Sequence, residues 1–350
     1  MAPRTQILTQ YEGLAVIDAR DLEYHTPEDA GHTWAETYFF PIAIPEEHLL
    51  ATVYVVVRPG IGVMVNDVAV YGALSDTRSD LLYFDVQPHL PAPEKWAEID
   101  SPAGLRISAH TPPRDYRIDY VGHSGTELHV DWNGIMEPFD IHDPRHSPKA
   151  AATKNEQHTG SGLGAAWGGH FDMTGRVTGT LTVRGKTFEV DCVERMDHSW
   201  GHRNAVTMNA QNSISAAFGE DLAFHIITIL DLDAPNGADH TFAHGYVLDN
   251  GEVYGVADLE LTNTRLGAVV TAMDMKVTDV RGKVFHLRGW MDIGAPWNAY
   301  AATVTYTGEM TWLLDDRQGY GCVMETYGIP ALSARRGRRW TDPQRSVLTG

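Results

Sequence analysis

Cysteine is nearly absent from this chain: Cys192 and Cys322 are the only two among 350 residues. Two thiols do not make a disulfide framework, and without a C-x-x-C pair they build neither a zinc ribbon nor a thioredoxin-type centre. Long apolar runs are missing as well. The longest, LLATVYVVV (49–57), is far short of a membrane span. Basic residues are scarce, with Lys plus Arg at 27 against 46 for Asp plus Glu, a net charge of −19. A chain this acidic repels phosphate backbones and anionic lipid surfaces, so nucleic acid is not an expected partner. The exception is local: Arg335, Arg336, Arg338 and Arg339 read as a basic tail or as ion-pair donors. The opening MAPRTQILTQYEGLAVIDARD lacks a charged segment followed by an apolar one. No secretory signal is expected, and the expected location is cytoplasmic.

Sustained helical periodicity is also missing. A short helix near 90–97 or 332–339 is the extent of the helical expectation. Hydrophobic residues at 43% and charged residues at 21% are ordinary for a globular protein. What fills the chain is strand pattern. LLATVYVVVR and GVMVNDVAVYG are β-branched runs divided by Pro59-Gly60. LRISAH, YRIDYVG and TELHVDW follow, divided by Pro112-Pro113 and Ser124-Gly125. GRVTGTLTVRGKTFEVDCVERMD turns at Arg184-Gly185, and Asn250-Gly251 is a strong type I′ hairpin signal. Further hairpins are expected at Arg281-Gly282 and at Asp315-Asp316-Arg317. The pattern predicts an all-β fold of two antiparallel barrel or sandwich units. The polar stretch 143–164 reads as a long loop or linker. The expected division is 1–190 and 191–350, with the loop inside the first unit.

The common nucleotide and hydrolase signatures are absent. GSGLGAAWGG (160–169) resembles a dinucleotide loop, but it follows a polar linker and no helix pattern succeeds it. There is no G-x-S-x-G, no phosphate loop and no H-E-x-x-H. No cofactor and no metal are therefore expected. The 17 histidines reopen the metal question. His198 and His202 share a strand face, but four residues at 3.3 Å each place them roughly 13 Å apart. A turn at Gly201 would be needed to bring them to one ion. Asp140, His142 and Asp143 offer a weaker set. Histidines scattered over polar strand faces are the simpler account.

One stretch stands out: ERMDHSWGHRN (194–204). A bend near Gly201 would converge Asp197, His202 and Arg203. A carboxyl desolvated beside Trp200 is a proton donor, whereas a nearby Arg would hold it charged. A structural Asp–Arg pair is the alternative. Trp132, Trp167, Trp200, Trp290, Trp297 and Trp312, with Tyr300, Tyr306 and Tyr320, lie in strand or strand-end contexts, as core or as the lining of a ligand cavity. His170, Glu309 and Glu325 are polar residues in otherwise apolar strands, where a solvent-facing position is the simplest account.

HFDMTGRVTGTLTVRGKTFEVDCVERMDHSWGHRN resembles the pattern of the carotenoid 1,2-hydratase-like proteins, a bacterial superfamily of lipocalin-like (calycin-like) barrels. The resemblance extends over most of the chain, but the DHSWG core is its distinctive part. Met196 stands where the family's Arg precedes the Asp; Arg195 lies one residue earlier. The resemblance implies two lipocalin-like units, a hydrophobic cavity near the motif and no organic cofactor. It implies addition or removal of water at double bonds, isomerisation or cyclisation. The candidate catalytic residues are then Asp197, His198, His202 and Arg203. Trp200, His170, Trp290, Tyr300, Trp312 and Glu325 are the candidate substrate-binding residues. Asp197 would be the acid, and His202 or His198 the base. The expected protein is a lyase or isomerase acting on a hydrophobic, isoprenoid-like small molecule, with a homodimer left open. The alternatives are a non-catalytic carrier of a hydrophobic ligand and a metal-dependent hydrolase.

Overall fold

The computed structural model describes residues 17–143 and 164–333, apart from positions 205, 207, 209 and 268. The basic cluster at 335–339 and most of the 143–164 loop lie outside the described residues, as do positions 334–339 of the second helix expectation. Eleven strands form a first sheet. They begin with β1 (Trp34–Ile44), β2 (Leu49–Arg58), β3 (Val63–Tyr71) and β4 (Tyr83–Pro91). Next come β5 (Glu98–Asp100), β6 (Leu105–Thr111), β7 (Asp115–Val121), β8 (Glu127–Gly134) and β9 (Phe139–Asp140). Two long strands complete it, β10 (Gly169–Val183) and β11 (Lys186–His202). Eight more form a closed barrel. They are β12 (Gln211–Ala217), β13 (Leu222–Leu230), β14 (His240–Asp249) and β15 (Glu252–Leu266), then β16 (Val269–Asp279), β17 (Val284–Trp297), β18 (Thr303–Leu314) and β19 (Arg317–Gly328).

The all-β, lipocalin-like architecture expected from the strand pattern is the one observed. The barrel closes through β12 against β19, which removes its edges. The first sheet follows the order β4-β3-β2-β1-β11-β10-β8-β7-β6-β5, with β9 beside β10. The expected division at 190/191 cuts through β11. That strand pairs with β10 from Lys186 to Trp200 and with β1 from Asp197 to His202, and the change from sheet to barrel falls between His202 and Gln211. Residues 90–97 form no helix; β4 runs on to Pro91.

The hairpins follow from their turn residues. Arg184 and Gly185 both have positive φ (50° and 76°), as do Asn250 and Gly251 (54° and 79°), the geometry of a type I′ turn. Two cores result. One fills the concave side of the first sheet, with Tyr38, Trp96, Tyr116, Trp132 and Met196 fully buried. The other fills the barrel with Phe224, Met275, Leu287, Met310 and Trp312. A third apolar cluster joins the units: Phe39, Tyr54 and Tyr71 from the sheet meet Ile293, Trp297, Tyr300 and Cys322 from the barrel.

Gly201 shows why the distinctive motif needs glycine. Its φ is 152°, and a Cβ there would lie 2.5 Å from the Ala165 carbonyl oxygen and 2.9 Å from the Ala166 carbonyl carbon. Both the dihedral and the close backbone approach exclude a side chain. Gly201→Ala should therefore lower unfolding stability by at least about 2 kcal/mol. Urea denaturation monitored by tryptophan fluorescence measures it, and an unchanged midpoint would contradict this account.

Candidate functional site

Alternation along β11 sends successive side chains to opposite faces. Met196 and His198 enter the core of the first sheet. Asp197 and Ser199 line a cleft against the barrel. There the Arg195 Nη1 donates to Asp197 Oδ2 at 2.6 Å, while the Arg195 guanidinium lies over the Phe39 ring. Arg203 donates to the Ser199 hydroxyl and lies over Trp167. Across the cleft, Tyr54 donates to Tyr300 at 3.0 Å. The space between these groups is small, about 40 Å³.

A larger cleft, about 440 Å³, opens farther along the same joint. Its walls include Ala43, Cys192 and Val193 of the sheet and Ala217, Phe218 and Tyr320 of the barrel. That volume suits a drug-sized ligand, and Arg176, Asp191, Glu220 and Gln318 give the cleft a polar side beside its apolar one. Glu309 of β18 also lines it, is only 2% exposed, and has no hydrogen-bond partner on either carboxylate oxygen. Burial, reinforced by the Glu194 and Asp292 charges, raises the Glu309 pKa well above the ordinary carboxyl value.

Glu194 is equally buried but well held. It accepts from the Cys322 N–H at 2.7 Å, the Arg195 N–H at 2.9 Å and the Ser215 hydroxyl at 3.1 Å. Burial still outweighs these donors and pushes its pKa up to about 7. Cys322 connects the two acids: its N–H donates to Glu194, and in the ladder it sits opposite Glu309. The joint thus contains two carboxyl groups biased towards the protonated form beside a cleft of ligand size.

Among the described residues, two groups hold ligand atoms close enough to share a metal: His25, Glu36 and His198, and His170, Asp172 and His244. In the first, Glu36 already accepts from the His25 N–H, the Thr26 hydroxyl and the Trp34 indole.

Residues 18–327 match a family described as a domain of unknown function, DUF7064. The chain belongs to that family. No curated protein matches the sequence. Among solved structures, kievitone hydratase from Nectria haematococca is similar at 13% identity and TM-score 0.52, covering 89% of this chain and 96% of that one. A protein assigned as AttH from Nitrosomonas europaea is similar at 14% identity and TM-score 0.57, covering 91% of this chain and 98% of that one. At these identities the likeness shows the fold.

Within this family member, the sequence candidates divide. Asp197, Arg203 and Tyr300 meet in the small cleft. His198 lies on the other face of β11: it donates from Nδ1 to the Thr37 carbonyl at 3.0 Å, and burial lowers its pKa well below the ordinary value. Trp200 stacks on His25, with ring centroids 3.6 Å apart. His202 is exposed, with Nδ1 3.1 Å from the Thr33 hydroxyl. β11 remains a strand through Gly201, so His198 and His202 are not brought together. Trp290 faces outward from the barrel at 41% exposure, and Trp312 is packed inside it. Glu325 is held by Arg265, with both guanidinium contacts at 2.7 Å, and by Asn212. His170 lies beside Asp172. Sequence reading missed Asp172, His225 and His244, which share no local motif, and it read Glu309 as a solvent-facing position. Glu309 shares its strand face with Thr307 and Thr311, so the local pattern carried no signal of its burial.

Asp197 and Arg195 form the structural pair that the sequence left as an alternative. Arg195 is fully buried and Asp197 is 8% exposed. Asp197→Asn should cost about 3–5 kcal/mol, as expected when one side of a buried pair is removed. Thermal melts of the variant and the wild type test this, and equal stability would remove the ion pair from the account.

Proposed function

We propose that the protein is a lyase or isomerase of hydratase, dehydratase or cyclase type, and that its substrate is an apolar small molecule bound in the 440 Å³ cleft between sheet and barrel. The observation that carries this reading is Glu309: a buried carboxyl without a partner, held protonated by its surroundings, at the wall of that cleft. A neutral carboxylic acid is what alkene protonation or hydroxyl departure requires. Glu309 gives its proton to one alkene carbon, forming a C–H bond and a carbocation at the other. The Phe218 and Tyr320 rings supply π-faces for that cation. Water then adds to the cation, and its proton returns to the Glu309 carboxylate. The reverse sequence removes water, and loss of a neighbouring C–H proton instead gives an isomerised alkene. These steps use no organic cofactor. An isoprenoid-like substrate with an alkene or a tertiary alcohol suits the reaction, and the polar side of the cleft, where Arg176 pairs with Asp191 and Glu220, suits a substrate that also carries a polar group. The shared fold with a hydratase agrees with this reaction class.

In this reading Glu194 tunes Glu309 through charge. Asp197 is a positioning residue, tied to Arg195 and holding the joint in register. The His198 imidazole lies behind β11 and takes no proton from the cleft.

Glu309→Gln keeps shape and removes the acid. Turnover should fall by at least about 10²-fold while the melting temperature is retained or raised. Deuterium from D2O, followed into a panel of terpenoid alkenes and alcohols, reports protonation whatever product forms. Full exchange by the Gln variant would refute Glu309 as the donor, whereas ligand binding without exchange in the wild type would favour the carrier reading.

A pH dependence follows from the same acids. The Glu194 pKa is raised in the folded state from 4.5 to about 7, so between those values the native state binds more protons than the unfolded one. Stability from this group is complete below 4.5, falls as pH rises and is lost above about 7. Denaturant midpoints across this range should decline in the wild type and decline less in Glu194→Gln. A flat wild-type profile would argue against a buried acid pair.

A further inference from the structure

Three imidazoles and a carboxylate meet where β10 touches the barrel, and the chemistry above uses none of them. His170 and Asp172 come from β10, His225 from β13 and His244 from β14. All four are exposed by 2% or less. His170 Nε2 lies 2.9 Å and His225 Nδ1 3.3 Å from the same Asp172 Oδ2. Neither contact is aligned as a hydrogen bond. Both oxygens of Asp172, both nitrogens of His170 and of His244, and Nδ1 of His225 lack a hydrogen-bond partner. Native interiors rarely leave so many polar atoms unpaired in one place, and each such group calls for a cause.

Closeness without alignment is what a shared ion produces, because each lone pair then aims at a common centre and not at its neighbour. The ligand atoms of His170, Asp172 and His244 lie within 4.8 Å of one another. Around a tetrahedral ion with bonds of about 2.1 Å, ligand atoms sit roughly 3.4 Å apart. Small side-chain rotations close the set. The rings are already oriented by their surroundings. Trp167 packs edge-on to His170, and Phe139 stacks near His244. Ser213 Oγ lies 3.0 Å from His225 Nε2 and fixes the far side of that ring. Burial lowers the pKa values of His225 and His244, towards the neutral form that ligates.

We propose that His170, Asp172 and His244 bind one divalent first-row transition-metal ion, of the zinc or iron(II) class, and that His225 orients Asp172 beside it. Nitrogen with a single carboxylate suits these ions, whereas calcium and magnesium prefer all-oxygen shells. The ligands come from both units, so the ion pins the barrel to the sheet. The alternative group at His25, Glu36 and His198 is a poorer candidate. Glu36 there is committed to three donors, and the His25 ring is stacked on Trp200.

The test uses the full chain, purified without an affinity tag, stripped by chelator and titrated with Zn²⁺ or Co²⁺. One ion should bind per chain. Co²⁺ should produce visible d–d absorption, and the ion should raise the melting temperature. His244→Gln should abolish uptake and the metal-dependent rise, while His25→Gln retains both. Should His244→Gln fail to fold, His170→Gln and the wild-type titration carry the same decision. A wild-type chain that takes up neither ion, or whose melting is indifferent to them, overturns the proposal. So does loss of uptake in His25→Gln with retention in His244→Gln. None of these residues lines the 440 Å³ cleft, so a failure here leaves the Glu309 reading standing.

Discussion

Everything at the joint follows from one constraint: the Glu194–Ser199 segment of β11 is buried on both faces. One face closes the core of the first sheet, and the other is pressed against the barrel. A strand in that position normally reads as continuous hydrophobic sequence. This one carries Glu194, Arg195, Asp197, His198 and Ser199. Buried polar groups must be paired or they destabilise the fold. Most are paired, and many of the partners lie across the joint. Ser215 and Cys322 of the barrel hold Glu194, Tyr246 meets Thr174 at 2.7 Å, and Tyr300 meets Tyr54. These bonds are directional, so they fix how the barrel sits on the sheet in a way that the apolar cluster around Phe39 and Trp297 could not.

The same constraint decides where a ligand can go. Lipocalin-like barrels often suggest a ligand in the lumen. Here the lumen is filled by Phe224, Met275, Leu287, Met310 and Trp312. Space of ligand size lies instead at the joint, between Cys192 and Val193 of the sheet and Phe218 and Tyr320 of the barrel. Among the described residues there, Glu309 and the histidine group around Asp172 are left without a partner on either carboxylate oxygen or on several ring nitrogens. Two different departures from the pairing rule therefore mark two different places, one beside open space and one without it.

The fold was legible because its signals are local. Asn250-Gly251 and Arg184-Gly185 specify their turns within two residues, and the β-branched alternation on either side specifies the strands. The division between units was harder. Nothing in the composition around 190 marks a boundary, because β11 is one strand extending from Lys186 to His202. The joint was legible only in part. The motif around Asp197 was conspicuous, but alternation places its histidines on the face away from the cleft. Asp172, His225 and His244 are far apart in the chain and meet only after the barrel docks. Glu309 looked like a solvent-facing position because a strand's outer face usually is one. It is buried because a second unit covers that face, and this is tertiary information.

The two acids at the joint show how one environment produces an asymmetric pair. Glu194 has three donors and a neighbouring guanidinium, and burial still raises it only to about 7. Glu309 has no donor at all and is raised well above its ordinary value. Each would repel the charge of the other in a medium of low dielectric, so ionising Glu194 makes ionising Glu309 harder. The proton therefore stays on the residue facing the cleft, and the negative charge forms on the residue facing the Cys322 and Arg195 N–H groups. A carboxyl biased towards its neutral form at the wall of this cleft, with a neighbouring acid whose charge opposes its ionisation, is the arrangement on which the proposed proton transfer would rest.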